Sequence, residues 1–378
     1  MDANLLALPA VIFIQKLAVF VATLFVLIIL HEYGHFLVAR LNRVRVSDFA
    51  FGFGPTIAKW TSPRSGVNYR FNLVPIGGYC AMEGEDGRTL ESEQQRAFLA
   101  DGALDDGNFQ AKSPLQRLSI VLAGPIANFI LAFAILVFSA LVFGVASDND
   151  APTIGPIMDG TPAQRAGLQM GDQVVAINGV PVTSGAQLIN TIHSSLGKVL
   201  VLRYRRNGIV HQVSVTPMRA VQDGKVMGII GFHPVPAFEH VGPIMALRSA
   251  SEQFVSVFVL NVEGIEQLVA NPVQHYGQAM GVIGMERAAS EFQDLGWATY
   301  FSFAAVISIA VGLINLLPFP ALDGGRGAFI VAELVRGRPI DREKEALVHY
   351  GGFAVLMMLM AFMAFHDISN IIAGKGVL

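Results

Sequence analysis

Polar positions are sparse in four long stretches of the chain, and those stretches set its plan. Val11 to Leu30 is interrupted only by Gln15, Lys16 and Thr23. Leu118–Val145, Trp297–Leu317 and Tyr350–Ile372 are similar, although His366 and Asp367 interrupt the last. A run of about 20 apolar residues crosses a bilayer as a helix, so four spanning helices are expected. Val44–Met82 has a different rhythm: FAFGFGPTIAKW and VNYRFNLVPIGGY are β-type runs around the turn signal SPRSG. A helical stretch, SGAQLINTIHSS, and two strands, KVLVLRYRRNG and IVHQVSVTP, follow the second span. SEQFVSVFVLNVEGIEQLVANP has helical apolar spacing broken by Asn261, Glu263 and Glu266, and reads as an interfacial amphipathic helix. The expected organisation is a first span in 1–41, a β region in 42–116 and a second span in 117–146. An inserted domain fills 151–218 and a linker with the amphipathic helix 219–296. A third span fills 297–318, a broken segment and loop 319–347, and a fourth span 348–374. The fold class is therefore a polytopic α-helical membrane protein with a membrane-associated β-hairpin region and an inserted α+β domain.

Composition agrees. Of 378 residues, 53% are hydrophobic and 15% charged, and mean hydropathy is +0.51; soluble domains carry about a quarter charged residues. Net charge is −3, which gives no footing for nucleic acid. The single cysteine, Cys80, excludes an intrachain disulfide framework and a cysteine-rich zinc site. MDANLLALPA lacks the basic start of a secretory signal, so the first run reads as a retained anchor. Arg40, Arg43 and Arg45 follow the first span, and Lys112 and Arg117 precede the second. Arg326, Arg336, Arg338, Arg342 and Lys344 lie between the third and fourth. By the positive-inside rule both connections face the cytoplasm, and 146–296 the other side.

The chemistry begins at the end of the first run, in LHEYGH. His31 and His35 are one helical turn apart, where both imidazoles can bind one zinc, and Glu32 is placed to take a proton from water there. The motif lies some 20 residues into the span, roughly 30 Å along it. Ionisable groups at membrane depth are costly and usually functional, so the pattern reads as a membrane-embedded metalloprotease site. A third protein ligand is needed. INLLPFPALDGGRG offers Asp323 at a comparable depth, after two prolines that break the helix; the alternative is Asp323 as a cap of the next helix. The hairpin can present an edge strand to an extended substrate or serve as a structural cover. Glu83 and Glu85 beside it read as a solvated cluster, and His233 and His240 as loop histidines. TIGPIMDGTPAQRAGLQMGDQVVAINGVPV resembles a PDZ domain of the bacterial protease-associated type. Ile154 and Gly155 would begin its peptide-binding strand, or the domain acts only as a steric cover.

Together, HEYGHFLVAR, FGFGP, LVPIGGYCAMEGE, RLSIVLAGPIANFILA and NLLPFPALDGG resemble the site-2 protease family of intramembrane zinc metalloproteases, in its bacterial RseP-like branch. The resemblance implies Zn²⁺ held by His31, His35 and Asp323, with Glu32 catalytic. It implies an assisting role for Asn315 and contact with substrate for Asn128. It further implies cleavage of single-pass transmembrane proteins, such as an anti-sigma factor or remnant signal peptides, after a first cut by an upstream protease outside the membrane. The location implied is a bacterial inner membrane, with lipid as a constant partner. Two departures stand out: one PDZ-like pattern where some members have two, and MGVIGM where many have a Ser-Gly-Pro element.

Overall fold

The computed structural model describes residues 3–85, 106–147, 152–158, 160–222, 225–235, 238–271, 281–338 and 340–372. Ala151, the expected start of the inserted domain, lies outside the described residues. The chain divides into two compact units: Met1–Ile135, Gln253–Ile283 and Ala304–His366 form one, and Leu136–Glu252, Gly284–Phe303 and Asp367–Leu378 the other.

The helices are α1 (Ala3–Leu41), α2 (Pro114–Val142), the short α3 (Pro162–Arg165), α4 (Gly185–His193) and α5 (Pro243–Ala270). They continue with α6 (Val282–Asp294), α7 (Trp297–Leu316), α8 (Asp323–Arg336) and α9 (Arg342–Ile372). Among the described residues, five are long and apolar enough to cross a membrane: α1, α2, α5, α7 and α9. That is one more than the sequence pattern predicts. The addition is α5, where Asn261 and Glu263 were expected to keep the helix at the interface. α5 runs for 28 residues, about 42 Å at helical rise. Its Asn261 amide donates to the Val257 carbonyl one turn back, at 2.9 Å, and so has a partner within its own helix.

In the first unit, small residues let helices touch. A Cβ at Gly34 would come within 2.4 Å of the Ala123 carbonyl oxygen, and one at Gly312 within 2.7 Å of the Phe129 ring. Such residues at helix crossings favour close backbone approach in a membrane bundle. Phe254 and Phe258 of α5 pack edge-on against Phe133 and Phe129, near the middle of α2.

Strands β1 (Val46–Thr61) and β2 (Asn68–Met82) fold back on themselves. Val46–Phe51 pairs with Gly78–Met82; Asn68–Phe71 lies against both Asp48–Phe51 and Ala58–Thr61. The bend in β1 uses Gly52 at φ +77°. Buried Asn72 ties it, donating to the Gly52 carbonyl at 2.8 Å and accepting from Thr56 at 2.9 Å. The sheet base joins Ala39, Val44, Ile120, Val121 and Ile330 in one apolar cluster. Its far end is exposed and apolar: Ile57, Trp60 and Leu73 are each more than half exposed.

In the second unit, the neck of the inserted domain is a pair of two-residue strands, β3 (Val145–Ala146) and β12 (Phe238–Glu239). The domain holds β4 (Ile154–Ile157), β5 (Gln173–Ile177), β6 (Val180–Pro181), β7 (Leu200–Arg206), β8 (Ile209–Val215), β9 (Met218–Gln222), β10 (Lys225–Ile229) and β11 (Phe232–Pro234). β6, β5, β7 and β8 form a four-stranded sheet, and β11 pairs antiparallel with β4. Its core includes Leu188, Leu202, Ile230 and Phe232, so the domain continues past the expected boundary at Met218. The later strands seal β4, and alternation across 151–218 alone does not reveal that. Asp172, 1% exposed, is held by a two-pronged bond from Arg206 at 2.7 and 2.6 Å and by the Gln169 amide. Asp367 in α9 also has a partner: its buried carboxylate accepts the Gly284 amide of the first turn of α6 at 3.0 Å. A carboxylate at a helix N-terminus is favoured there, which explains an acid at the end of the apolar stretch of α9.

Leu188 is fully buried in the core of the inserted domain. Leu188→Ala should destabilise that domain by about 3 kcal/mol. Limited proteolysis of the purified full-length chain is expected to open cleavage within 160–222 while zinc content is unchanged.

Candidate active site

His31 and His35 are both 7% exposed. Their rings stand nearly perpendicular, at 80°, with centroids 4.9 Å apart. The His35 Nδ1 N–H donates to the Ile120 carbonyl at 2.9 Å. That bond orients the ring and, in the neutral imidazole that a metal requires, selects the tautomer whose Nε2 carries the ligating lone pair. The His31 and His35 Nε2 atoms are 3.3 Å apart, and both lie close to Asp323 Oδ2, at 3.1 and 3.2 Å.

Asp323 reaches this place through a broken backbone. α7 ends at Leu316, and the chain turns through Pro318, Phe319, Pro320 and Ala321 before α8 begins at Asp323. The N-cap is Leu322, which makes no side-chain cap bond; the Asp323 carboxylate is turned to the imidazoles, not used as a cap. Gly324 and Gly325 permit the tight return, since a Cβ on either would lie 2.3 Å from a backbone carbonyl oxygen of the preceding turn. Burial opposes a charge on Asp323. The neighbouring His35 charge and hydrogen bonds from both imidazoles outweigh it and hold the carboxyl well below the usual carboxylate range.

The three atoms form a triangle with sides of 3.1 to 3.3 Å. The edge of a tetrahedron with zinc-like bonds of 2.0–2.1 Å is about 3.3 Å. The donor set, two imidazoles and a carboxylate, is one that catalytic zinc uses. Among the described residues this is the one cluster of His, Cys, Asp or Glu groups able to hold a metal ion. His240 does not join one, and the His233 side chain lies outside the described residues. The residues fit zinc.

Glu32 lies beside the triangle, on the α1 surface crossed by β2. A Cβ at Gly78 would be 3.2 Å from Glu32 Cγ and 3.1 Å from Ile28, so the strand passes close over the glutamate. The Cys80 backbone is a hydrogen-bond partner of Glu32. Burial and the Glu32 charge push the Cys80 thiol up, which keeps it protonated and unreactive. The Gly78–Met82 arm pairs with β1 along one edge. Glu83 and Glu85 are not a solvated cluster: they pair with Arg45 and Arg326. Arg326 sits one turn after Asp323, so this pair links the exit of β2 to α8.

Asn128 is fully buried one turn after Gly124. Its carbonyl accepts from Ser308 at 2.8 Å, while its side-chain Oδ1 and Nδ2 have no partner among the described residues. Asn315 is half-buried in the last turn of α7. Ile154 and Gly155 stand elsewhere, in the inserted domain. Ile154 is fully buried in its core, and β11 covers the edge of β4. They do not offer an open strand; within this two-stranded pair the outer edge belongs to β11. Sequence reasoning missed Ile120 and Gly124. A main-chain carbonyl leaves no sequence signature, but a glycine inside an apolar helix is a visible one.

A Cβ at position 124 would lie 2.2 Å from His35 Nε2 and 2.8 Å from His31 Nε2. Gly124→Ala should therefore displace both rings and reduce zinc affinity by about a hundredfold, the upper range for losing a ligand's support. Metal analysis after dialysis against a chelator checks this.

The sequence model of peptidase family M50 matches residues 19–359. The chain is 30% identical to a zinc metalloprotease RasP of Geobacillus kaustophilus, over 94% of this chain and 98% of that one. It is 29% identical to the regulator of sigma-W protease RasP of Bacillus subtilis, over 95% and 99%. Among solved structures, the PDZ domain of an SdrC-like protein from Listeria monocytogenes matches 24% of this chain and 93% of its own, at 22% identity and a TM-score of 0.20. With buried His31 and His35 converging on Asp323 beside Glu32, and a family match over most of its length, the chain belongs to peptidase family M50, the site-2 proteases, and is a zinc metalloprotease.

Proposed function

We propose that this protein cleaves single-pass membrane proteins within or near their transmembrane segment, using zinc held by His31, His35 and Asp323. The observation that carries the reading is the buried triangle of two imidazoles and a carboxylate with Glu32 at its side. Zinc, when bound, supplies a Lewis acid and lowers the pKa of water toward ~7. Glu32 takes the proton of the attacking water and delivers one to the leaving amine. His35 is held in the required tautomer by the Ile120 carbonyl. Asn315 donates to the substrate backbone or to the developing oxyanion. The unpaired amide of Asn128 has a donor and an acceptor to offer when the bundle opens to substrate.

A helical substrate has its carbonyls already bonded, so it must unwind before attack. The Gly78–Met82 arm beside Glu32 is an alternative pairing partner, and strand addition there offsets part of the cost. The exposed apolar end of the sheet, at Ile57, Trp60 and Leu73, suits contact with lipid. The extra long helix, α5, is read as embedded, because Phe254 and Phe258 meet the mid-length of a spanning helix. The inserted domain, read as a PDZ domain, lies outside the cytoplasm and screens substrates that an upstream protease has trimmed. An anti-sigma factor is the proposed substrate class, suggested by the relative named a regulator of sigma-W protease.

Glu32→Gln keeps the shape of the side chain and loses the base. It should bind zinc as wild type does and lower cleavage of a trimmed transmembrane substrate at least a thousandfold, the upper range for general-base loss being about 10⁴. Undiminished turnover in that variant refutes the assignment. The charge pattern places the loops at Ser65 and Arg338 in the cytoplasm and Asn207 outside. In a Cys80→Ala background, Asn207→Cys should react with an impermeant thiol reagent added to intact spheroplasts. Ser65→Cys and Arg338→Cys should react only after lysis.

A further inference from the structure

The turn that delivers Asp323 is held from the side by the last long helix. Ala321, two residues before Asp323, has φ +79°, a left-handed backbone that a residue with a Cβ adopts only under constraint. Its amide N–H donates to His349 Nδ1 at 2.9 Å. A donor pointed at Nδ1 requires the lone pair there and the proton on Nε2. His349 Nε2 is buried without a partner among the described residues, so the bond to Ala321 is the anchor of the ring. Phe329 of α8 packs against the imidazole with centroids 5.5 Å apart. One turn further along α9, Gly352 lets the helix press on the same loop: a Cβ there would lie 2.4 Å from the Pro320 side chain and 2.5 Å from its carbonyl oxygen.

We infer that His349 is a positioning residue, which holds the Ala321 turn in its strained form and so sets the Asp323 carboxylate at the distance zinc needs. This rests on Asp323 as the third zinc ligand. The chain of constraint is short. The His349–Ala321 bond fixes the turn, the turn fixes where α8 begins, and the first residue of α8 is the ligand. A loop with two prolines, Pro318 and Pro320, cannot recruit amides at those positions to hold itself. Two loop amides bond back within the turn, Phe319 to the Leu317 carbonyl at 2.7 Å and Leu322 to the Phe319 carbonyl at 3.1 Å; the Ala321 amide is held by another helix. Losing it lets Ala321 relax toward negative φ and swings the carboxylate away from His31 and His35.

Two substitutions at position 349 separate positioning from packing. His349→Leu keeps apolar bulk against Phe329 and cannot accept the amide. His349→Asn loses bulk but carries Oδ1 where Nδ1 stood. The probe is zinc itself, competed off the purified full-length protein in detergent by chelators of graded strength. Cleavage of a transmembrane substrate is followed in parallel. His349→Leu should bind zinc about tenfold more weakly, as losses of ligand support do, and His349→Asn should stay close to wild type. Adding Ala321→Gly to His349→Leu should recover most of the loss, because glycine adopts the left-handed turn freely. Equal weakening by Leu and Asn, or no weakening by Leu, overturns the inference. Asp323→Ala run alongside distinguishes the levels. Wild-type zinc affinity in that variant overturns the ligand reading and this inference with it. A weakened Asp323→Ala beside an unaffected His349→Leu overturns this inference alone.

Discussion

Everything at this site depends on how closely the backbone of α2 can approach the histidines of α1. Two imidazoles inside an apolar bundle must be oriented and shielded from lipid by something thinner than a side chain. Gly124 and the Ile120 carbonyl, one turn apart on α2, meet both needs. The first gives the rings room, and the second fixes one of them. Gly34, between the two histidines, answers from α1 by letting the helices touch at Ala123. A bundle without a hydrophobic drive between its helices depends on such contacts, so one crossing both binds the helices and forms the metal floor.

Much of this was legible in the sequence. H-E-x-x-H has a fixed meaning on a helix, and an apolar run locates it at membrane depth. Asp323 was legible because prolines and paired glycines mark a break where a carboxylate can turn inward. The reading failed where partners are remote. In α5, Asn261 looks costly for a span until its bond to the Val257 carbonyl is seen. Glu83 and Glu85 looked solvated because Arg45 and Arg326, their partners, lie far away in sequence. In the inserted domain, the sequence around Ile154 and Gly155 gives no sign of β11, which only folding brings, from about 80 residues later, along the edge of β4. His349 gave no signal at all, since its partner is a main-chain amide.

The first unit combines two kinds of order. The helices provide fixed positions for the ligands, held by glycine contacts. The sheet is anchored at its base in the apolar cluster around Ile120 and Ile330, while its far end is open and apolar. The arm of β2 beside Glu32 has no strand on its second edge among the described residues, which is what the proposed strand addition needs.

The neck between β3 and β12 has a consequence for the history of the chain. Val145 and Ala146 pair with Glu239 and Phe238, Ser147 bonds Glu239 at 2.6 Å, and Gly144 admits the returning backbone at close range. The two tethers of the insert thus leave from one point. A loop whose ends are already joined is indifferent to what it encloses, because closure entropy grows only with the logarithm of length. Modules can be duplicated, shortened or exchanged beyond the neck with little effect on the helices that carry it. A fold of this kind can acquire new inserts without rebuilding its catalytic centre.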